Sequence, residues 1–142
     1  MDALLLLPHR PPMRLVEEII EIVPGQRAVT RRIARPDDWF FDGHFPGQPV
    51  IPAIALVELL AQTGGLAAGA PAPGADSPPL QLRVAALGPF KFPAGAGPGV
   101  TLEAEARVVG AMGGLYKIEG HVRADSTLVA SGSLTLADAR GR

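Results

Sequence analysis

Residues 52–68 read PAIALVELLAQTGGLAA, a run of good helix formers whose only ionisable side chain is Glu58. Pro52 suits the first turn of a helix, where its missing N–H costs nothing. Ile54, Ala55, Leu56, Val57, Leu59, Leu60 and Ala61 leave the segment no polar face. A helix that is apolar all round is buried, either in a bilayer or in a protein core. The apolar stretch from Val50 to Ala61 contains Pro52 and Glu58, and it falls short of the roughly 20 residues a membrane span needs. The rest of the chain is therefore expected to wrap this helix.

What is available to wrap it is strand. After residue 100 the apolar residues recur with period two. Leu102, Ala104, Ala106 and Val108 form one set, Tyr116, Ile118, Gly120, Val122 and Ala124 a second, and Leu128, Ala130, Gly132, Leu134 and Leu136 a third. Each set alternates with mostly polar residues, the pattern of an antiparallel sheet with one wet face. Gly113-Gly114 and Asp125-Ser126 are the expected turns between them. Upstream, residues 13–23 are rich in Ile, Leu and Val, residues 26–34 carry β-branched residues among arginines, and the two flank Pro24-Gly25, which predicts a hairpin. Residues 37–49 and 70–79 are Gly/Pro-rich loops. Strands, one helix and more strands make an α+β arrangement, with a curved antiparallel sheet around a central buried helix at about residues 52–68.

The 142 residues are enough for one domain, read as spanning positions 1–142, with its own hydrophobic core. With no cysteine, disulfides, Cys-liganded zinc, iron–sulfur clusters and a cysteine nucleophile are excluded. A cytoplasmic setting fits that composition. A net charge of −1 argues against nucleic-acid binding, which normally needs a basic face. Asp2 and the short run Leu4 to Leu7 do not make a signal peptide, and no membrane span is expected. His9, His44 and His121 lie far apart with no metal-ligand spacing, so no metal site is expected.

The chemistry concentrates between Phe40 and Gln62. His44 sits in a loop stiffened by Gly43, Pro46, Gly47 and Pro49, and a histidine held in a rigid frame suits general-base work near neutral pH. Glu58 in an apolar helix is costly, and costly carboxylates concentrate at functional sites. Ile54, Glu58 and Gln62 are spaced one helical turn apart and share a stripe, so Gln62 can hydrogen-bond Glu58 or a bound water. The helix N-terminus near Pro52 and Ala53 offers free backbone N–H groups and a positive dipole end, suited to an enolate oxyanion. Taken singly, each feature has a plainer reading. A lone loop histidine is more often structural, a lone helical Glu is often an ion-pair partner, and Gly and Pro often only punctuate turns.

Together, however, GHFPGQPVIPAIALVELLAQTGG resembles the signature of the bacterial β-hydroxyacyl-acyl-carrier-protein dehydratases of the FabZ type. Their pattern is GHFPG, a P-x-x-P step, then a helix bearing Glu and Ala-Gln. LLPHRPPMRLVEEI, FKFPAGAGPGVTL and GGLYKIEGHV are similar to further stretches of that family, so nearly the whole chain is covered. The resemblance implies the hot-dog fold, and it implies that His44 and Glu58 are the catalytic pair, fourteen positions apart. Glu rather than Asp at position 58 is similar to the FabZ branch and unlike the isomerising FabA branch. Phe45, Gly47, Ala53 and Gln62 are the substrate-binding candidates.

The reaction so implied is loss of water from a β-hydroxyacyl thioester carried on the phosphopantetheine of acyl carrier protein, within fatty acid biosynthesis and without metal or redox cofactor. The resemblance further implies a homodimer with His and Glu of each site from different subunits, or a hexamer built as a trimer of dimers. Carrier proteins are acidic, so Arg10, Arg14, Arg83 and Lys91 are docking candidates. Departures from the family pattern at Pro11, at Ala53 (where Gly is usual), in 84–89 and in 70–79 bear on substrate range. They keep open a same-fold dehydratase of a polyketide or aryl-polyene pathway, a coenzyme-A-dependent one, or a hot-dog thioesterase. An idle acyl-binding domain is disfavoured by the retention of His44 and Glu58 together.

Overall fold

The computed structural model describes residues 3–138. A six-stranded antiparallel sheet curves around a single helix. In chain order the elements are β1 (Glu18–Val23), β2 (Arg27–Ile33), α1 (Ala53–Gly69), β3 (Leu82–Lys91), β4 (Thr101–Met112), β5 (Leu115–Ala124) and β6 (Thr127–Asp138). The sheet order is β1-β2-β4-β5-β6-β3. The helix enters after β2, and the chain then crosses to β3 on the far edge, so α1 lies across the concave face.

The period-two pattern orients β4 to β6 as expected. Leu102, Ala104, Ala106, Ile118, Val122, Ala130, Leu134 and Leu136 are all buried against α1. One detail differs: Leu128 pairs with exposed Arg123 on the outer face, and the register slips by one residue before Val122 pairs with Ala130. Val129 occupies that bulge and is 1 % exposed. A bulge puts two residues opposite one and re-aims the side chains beside it, so strict alternation misplaced Leu128 and Val129. Both turns are two-residue hairpins with positive φ at each central residue, Gly113-Gly114 and Asp125-Ser126, the form that suits the right-handed twist of the strands.

The strand expected over 13–23 begins only at Glu18. Leu15 and Val16 are fully buried, but their N–H groups are held by the Gln62 side chain at 2.8 and 3.4 Å rather than by a neighbouring strand. Side-chain capture of the backbone is an alternative to a ladder. The hairpin itself is present, with Val23 opposite Arg27 across a turn tied to the end of α1 by the Gly25 N–H to Ala67 carbonyl bond, 2.8 Å. β3 was not anticipated: most of it is exposed, with no apolar alternation to reveal it.

Small residues set the distance between helix and sheet. A Cβ on Gly64 of α1 would stand 2.9 Å from the Ile118 side chain, and one on Gly120 of β5 would stand 2.2 Å from the Glu105 carbonyl and 2.8 Å from Leu60. No helix among the described residues is long and apolar enough to cross a membrane.

Burial of α1 is one-sided. Ala55, Leu56, Leu59, Leu60, Gln62, Thr63, Leu66 and Ala67 are buried. Ala53, Ile54, Val57, Glu58, Gly65 and Ala68 form a stripe that the protomer leaves open, and Ile54 is 69 % exposed.

Candidate active site

His44 is held by its own loop. Its N–H donates to the Phe41 carbonyl at 3.0 Å, its carbonyl accepts from Val50 N at 2.8 Å, and Phe45 and Gln48 exchange both backbone hydrogen bonds. Gly43 and Gly47 bracket the turn with φ of 77° each, a conformation that glycine adopts without strain. The ring stacks on Phe45 with centroids 4.2 Å apart. The Nδ1 atom lies 2.9 Å from the Val50 carbonyl. A carbonyl only accepts, so Nδ1 carries the hydrogen and neutral His44 keeps its lone pair on Nε2. That is the tautomer of a base.

Glu58 stands on the open stripe of α1. It is not in the apolar enclosure expected from sequence, for its side chain is 28 % exposed. Its Oε2 accepts from Gln62 Nε2 at 2.8 Å and lies 3.4 Å from His9 Nε2. His9 Nδ1 is buried without a partner, so in neutral His9 the hydrogen belongs on Nε2, facing the carboxylate. Gln62 thereby engages Oε2 as an acceptor, with His9 nearby, and leaves Oε1 without a hydrogen bond among the described residues. The carboxylate opens on a cavity of about 290 Å³ lined by His9, Met13, Gln62, Arg83 and Leu136 among others.

Gln62 is 1 % exposed. It accepts from Leu15 and Val16 and donates to the Met13 carbonyl (2.7 Å) and to Glu58. All its hydrogen-bonding capacity is thus engaged within the chain, which makes it a support for Glu58 and not a contact with free polar atoms to offer a substrate. Thr63, beside it, bonds the Leu59 carbonyl and Thr30 Oγ1, both at 2.8 Å.

At the N-terminus of α1, Pro52 has extended geometry and gives no side-chain cap. The N–H groups of Ala55 and Leu56 fold back to the Pro52 carbonyl, whereas those of Ala53 and Ile54 have no partner among the described residues. Ala53 lines a second cavity, also about 290 Å³, with Val50, Leu56, Phe92 and Gly95. Free N–H groups and the positive end of the helix dipole make this a place for a developing negative oxygen.

Within one protomer His44 and Glu58 share no hydrogen bond or ion pair, and His44 is not among the residues lining the Glu58 cavity. The four basic docking candidates are likewise dispersed. Arg83 lines the Glu58 cavity, and exposed Arg10 bonds the Leu7 and His9 carbonyls beside it. Arg14 lines a separate depression with Glu17, Arg35 and Asp38. Lys91 lies at the opposite end of β3 from Arg83, roughly 26 Å away at strand rise. His9 and Met13 were not among the anticipated site residues. They arrive because Gln62 ties the segment before β1 to α1, a long-range bond that spacing does not reveal. No group of three or more His, Asp or Glu side chains able to hold a metal is found among the described residues.

A FabA-like domain matches residues 7–133. Over 135 residues, 93 % of the chain and 90 % of the relative, it is 35 % identical to the 3-hydroxyacyl-[acyl-carrier-protein] dehydratase FabZ of Moorella thermoacetica. It is 36 % identical over 139 residues, 96 % and 94 % of the two chains, to the protein of that name from Herpetosiphon aurantiacus. Among solved structures, the dehydratase heterocomplex ApeI:P of Xenorhabdus doucetiae superposes with a TM-score of 0.74 at 16 % identity, covering 94 % of this chain and 88 % of that one. That likeness is one of fold, the hot dog.

Proposed function

This chain belongs to the FabA-like family, beside its FabZ dehydratases, and from that premise we propose that His44 and Glu58 dehydrate 3-hydroxyacyl thioesters borne by acyl carrier protein in cytoplasmic fatty acid biosynthesis. The enzyme is a hydro-lyase. His44 Nε2 takes the α-proton, which the thioester carbonyl acidifies. The enolate oxygen develops against the free N–H groups of Ala53 and Ile54 at the start of α1. Glu58 delivers the proton on Oε1 to the β-hydroxyl, which leaves as water and gives the trans-2-enoyl thioester. The proton held by His44 returns to Glu58 through the released water, so no cofactor is consumed.

The observation that carries this reading is the complementary fixing of the two groups. A hydrogen bond from Nδ1 leaves His44 with its lone pair on Nε2, and Gln62 engages Oε2 of Glu58 while Oε1 has no hydrogen bond among the described residues. The first arrangement suits a base, and the second leaves an oxygen free to meet a substrate hydroxyl.

His44 does not line the Glu58 cavity and shares no hydrogen bond with Glu58 within a protomer, which supports a site completed by a second copy, with His44 facing the partner's Glu58. Two exposed surfaces suit a homodimer. β3 is a ten-residue edge strand showing Val84 and Leu87 at 37 % and 60 % exposure, and an open edge of that length is a template for pairing. Ile54 and Phe45, 69 % and 56 % exposed, continue the apolar surface on the helix and the His44 loop. The acidic carrier would approach over Arg83 and Arg10, the two candidates that lie beside the Glu58 cavity.

The test is crotonyl-thioester hydration followed in the ultraviolet on wild type, His44→Ala and Glu58→Gln. Each substitution is expected to lower kcat by about 10²–10⁴-fold, the usual worth of a positioned acid or base. Wild-type rates in both variants would overturn the assignment.

A further inference from the structure

We propose that Arg32, remote from both catalytic side chains, is a positioning residue that fixes the geometry of His44 and Glu58 together; this rests on the composite site just described. An unbroken series of hydrogen bonds joins the two groups within one protomer. Glu58 Oε2 accepts from Gln62 Nε2 at 2.8 Å. Gln62 Oε1 accepts from the Leu15 N–H at 2.8 Å. The Leu15 carbonyl accepts from Arg32 Nη1 at 3.0 Å, and Arg32 Nη2 donates to both oxygens of Asp38 at 2.6 Å. The Asp38 carbonyl accepts from Phe41 N at 3.1 Å, and the Phe41 carbonyl from His44 N at 3.0 Å.

Arg32 is the centre of that series and its only charged, buried member, 5 % exposed. Its guanidinium lies 5.4 Å from the Phe40 ring centroid and 4.0 Å from Glu17. Asp38 is held a second time by the Arg35 N–H at 2.8 Å. A charge this deep is held in place by its partners, because leaving any of them unpaired is costly. The segment bearing Leu15 and the turn bearing Phe41 are therefore locked to one point on β2. Hydrogen bonds in a low-dielectric interior also reinforce one another.

In the dimer, His44 of a protomer serves one active site and Glu58 of that protomer serves the other. Arg32 consequently supports half of each site. A displacement of about 1 Å at either group can cost on the order of 10²-fold in rate, so loss of Arg32 should reduce kcat with little change in KM.

The experiment uses mixed dimers that keep a single intact site. Pairing His44→Ala with Glu58→Gln protomers leaves one working site per heterodimer. Arg32→Met is then added either to the Glu58→Gln protomer, where it can act only through His44, or to the His44→Ala protomer, where it can act only through Glu58. Both heterodimers are expected to lose at least about tenfold in kcat at near-constant KM. Arg32→Lys, which keeps the charge but not the forked donors and guards against a folding failure of the Met variant, should recover part of the loss. A loss in only one heterodimer, or in neither, overturns the coupling. If the two parents show no complementation without any Arg32 change, the composite site itself fails and this inference falls with it.

Discussion

Gln62 shows how one side chain links the interior to the site. Its carboxamide satisfies two N–H groups and a carbonyl of the segment before β1, and its remaining N–H reaches Glu58. Gln62→Leu keeps the volume but strands Leu15 N–H and Met13 carbonyl in the interior. Leaving buried polar groups unpaired costs about 1–3 kcal/mol each, so the variant should be destabilised by roughly 2–6 kcal/mol in urea unfolding. It should also lose activity in the folded fraction, since Glu58 Oε2 keeps only His9 as a donor. Full activity in the folded Gln62→Leu protein would remove Gln62 from the support of Glu58. The same reasoning explains what sequence spacing found and what it missed: Glu58 and Gln62 sit one turn apart and were read as partners, but His9 joins them across a loop.

At the scale of elements, the approach of α1 to the sheet is set by glycines on each side. Gly64→Ala presses a methyl on the flexible Ile118 side chain, 2.9 Å away, whereas Gly120→Ala drives one into the Glu105 carbonyl at 2.2 Å. Overpacking a core typically costs about 1–3 kcal/mol. Gly64→Ala is expected within that range, and Gly64→Ala with Ile118→Ala should be less destabilised than the sum of the two singles. Gly120→Ala should exceed the range, because backbone paired in a ladder cannot yield. Thermal or urea unfolding of the four proteins checks the order, and equal costs at Gly64 and Gly120 would contradict it. These glycines read in sequence only as small residues within a helix and a strand. Their necessity appears once the two elements face each other.

For the whole molecule, the open stripe of α1 and the exposed edge β3 are the surfaces a second copy would cover. Ile54→Asp places a charge at the most exposed apolar residue of that stripe, near the start of α1, while leaving the protomer core untouched. Sedimentation equilibrium should show a shift from dimer to monomer, with loss of turnover in parallel. A fully active monomer would show that each protomer holds a complete site, contrary to the separation of His44 from Glu58.

The amino-acid sequence by itself determined the helix, the hairpin turns, most of the strands and the candidate pair His44 and Glu58. Each of these rests on local information: period, turn chemistry, or a contiguous motif such as GHFPG. Tertiary structure alone decided the strand start at Glu18, because Gln62 captures the backbone before it, and the strand β3, because an exposed edge carries no apolar alternation. It also decided that Glu58 faces outward on a half-open stripe. An all-apolar helix looks the same in sequence whether its two sides meet one sheet or a sheet and a second subunit. Only the placement of the sheet shows which side the protomer itself buries.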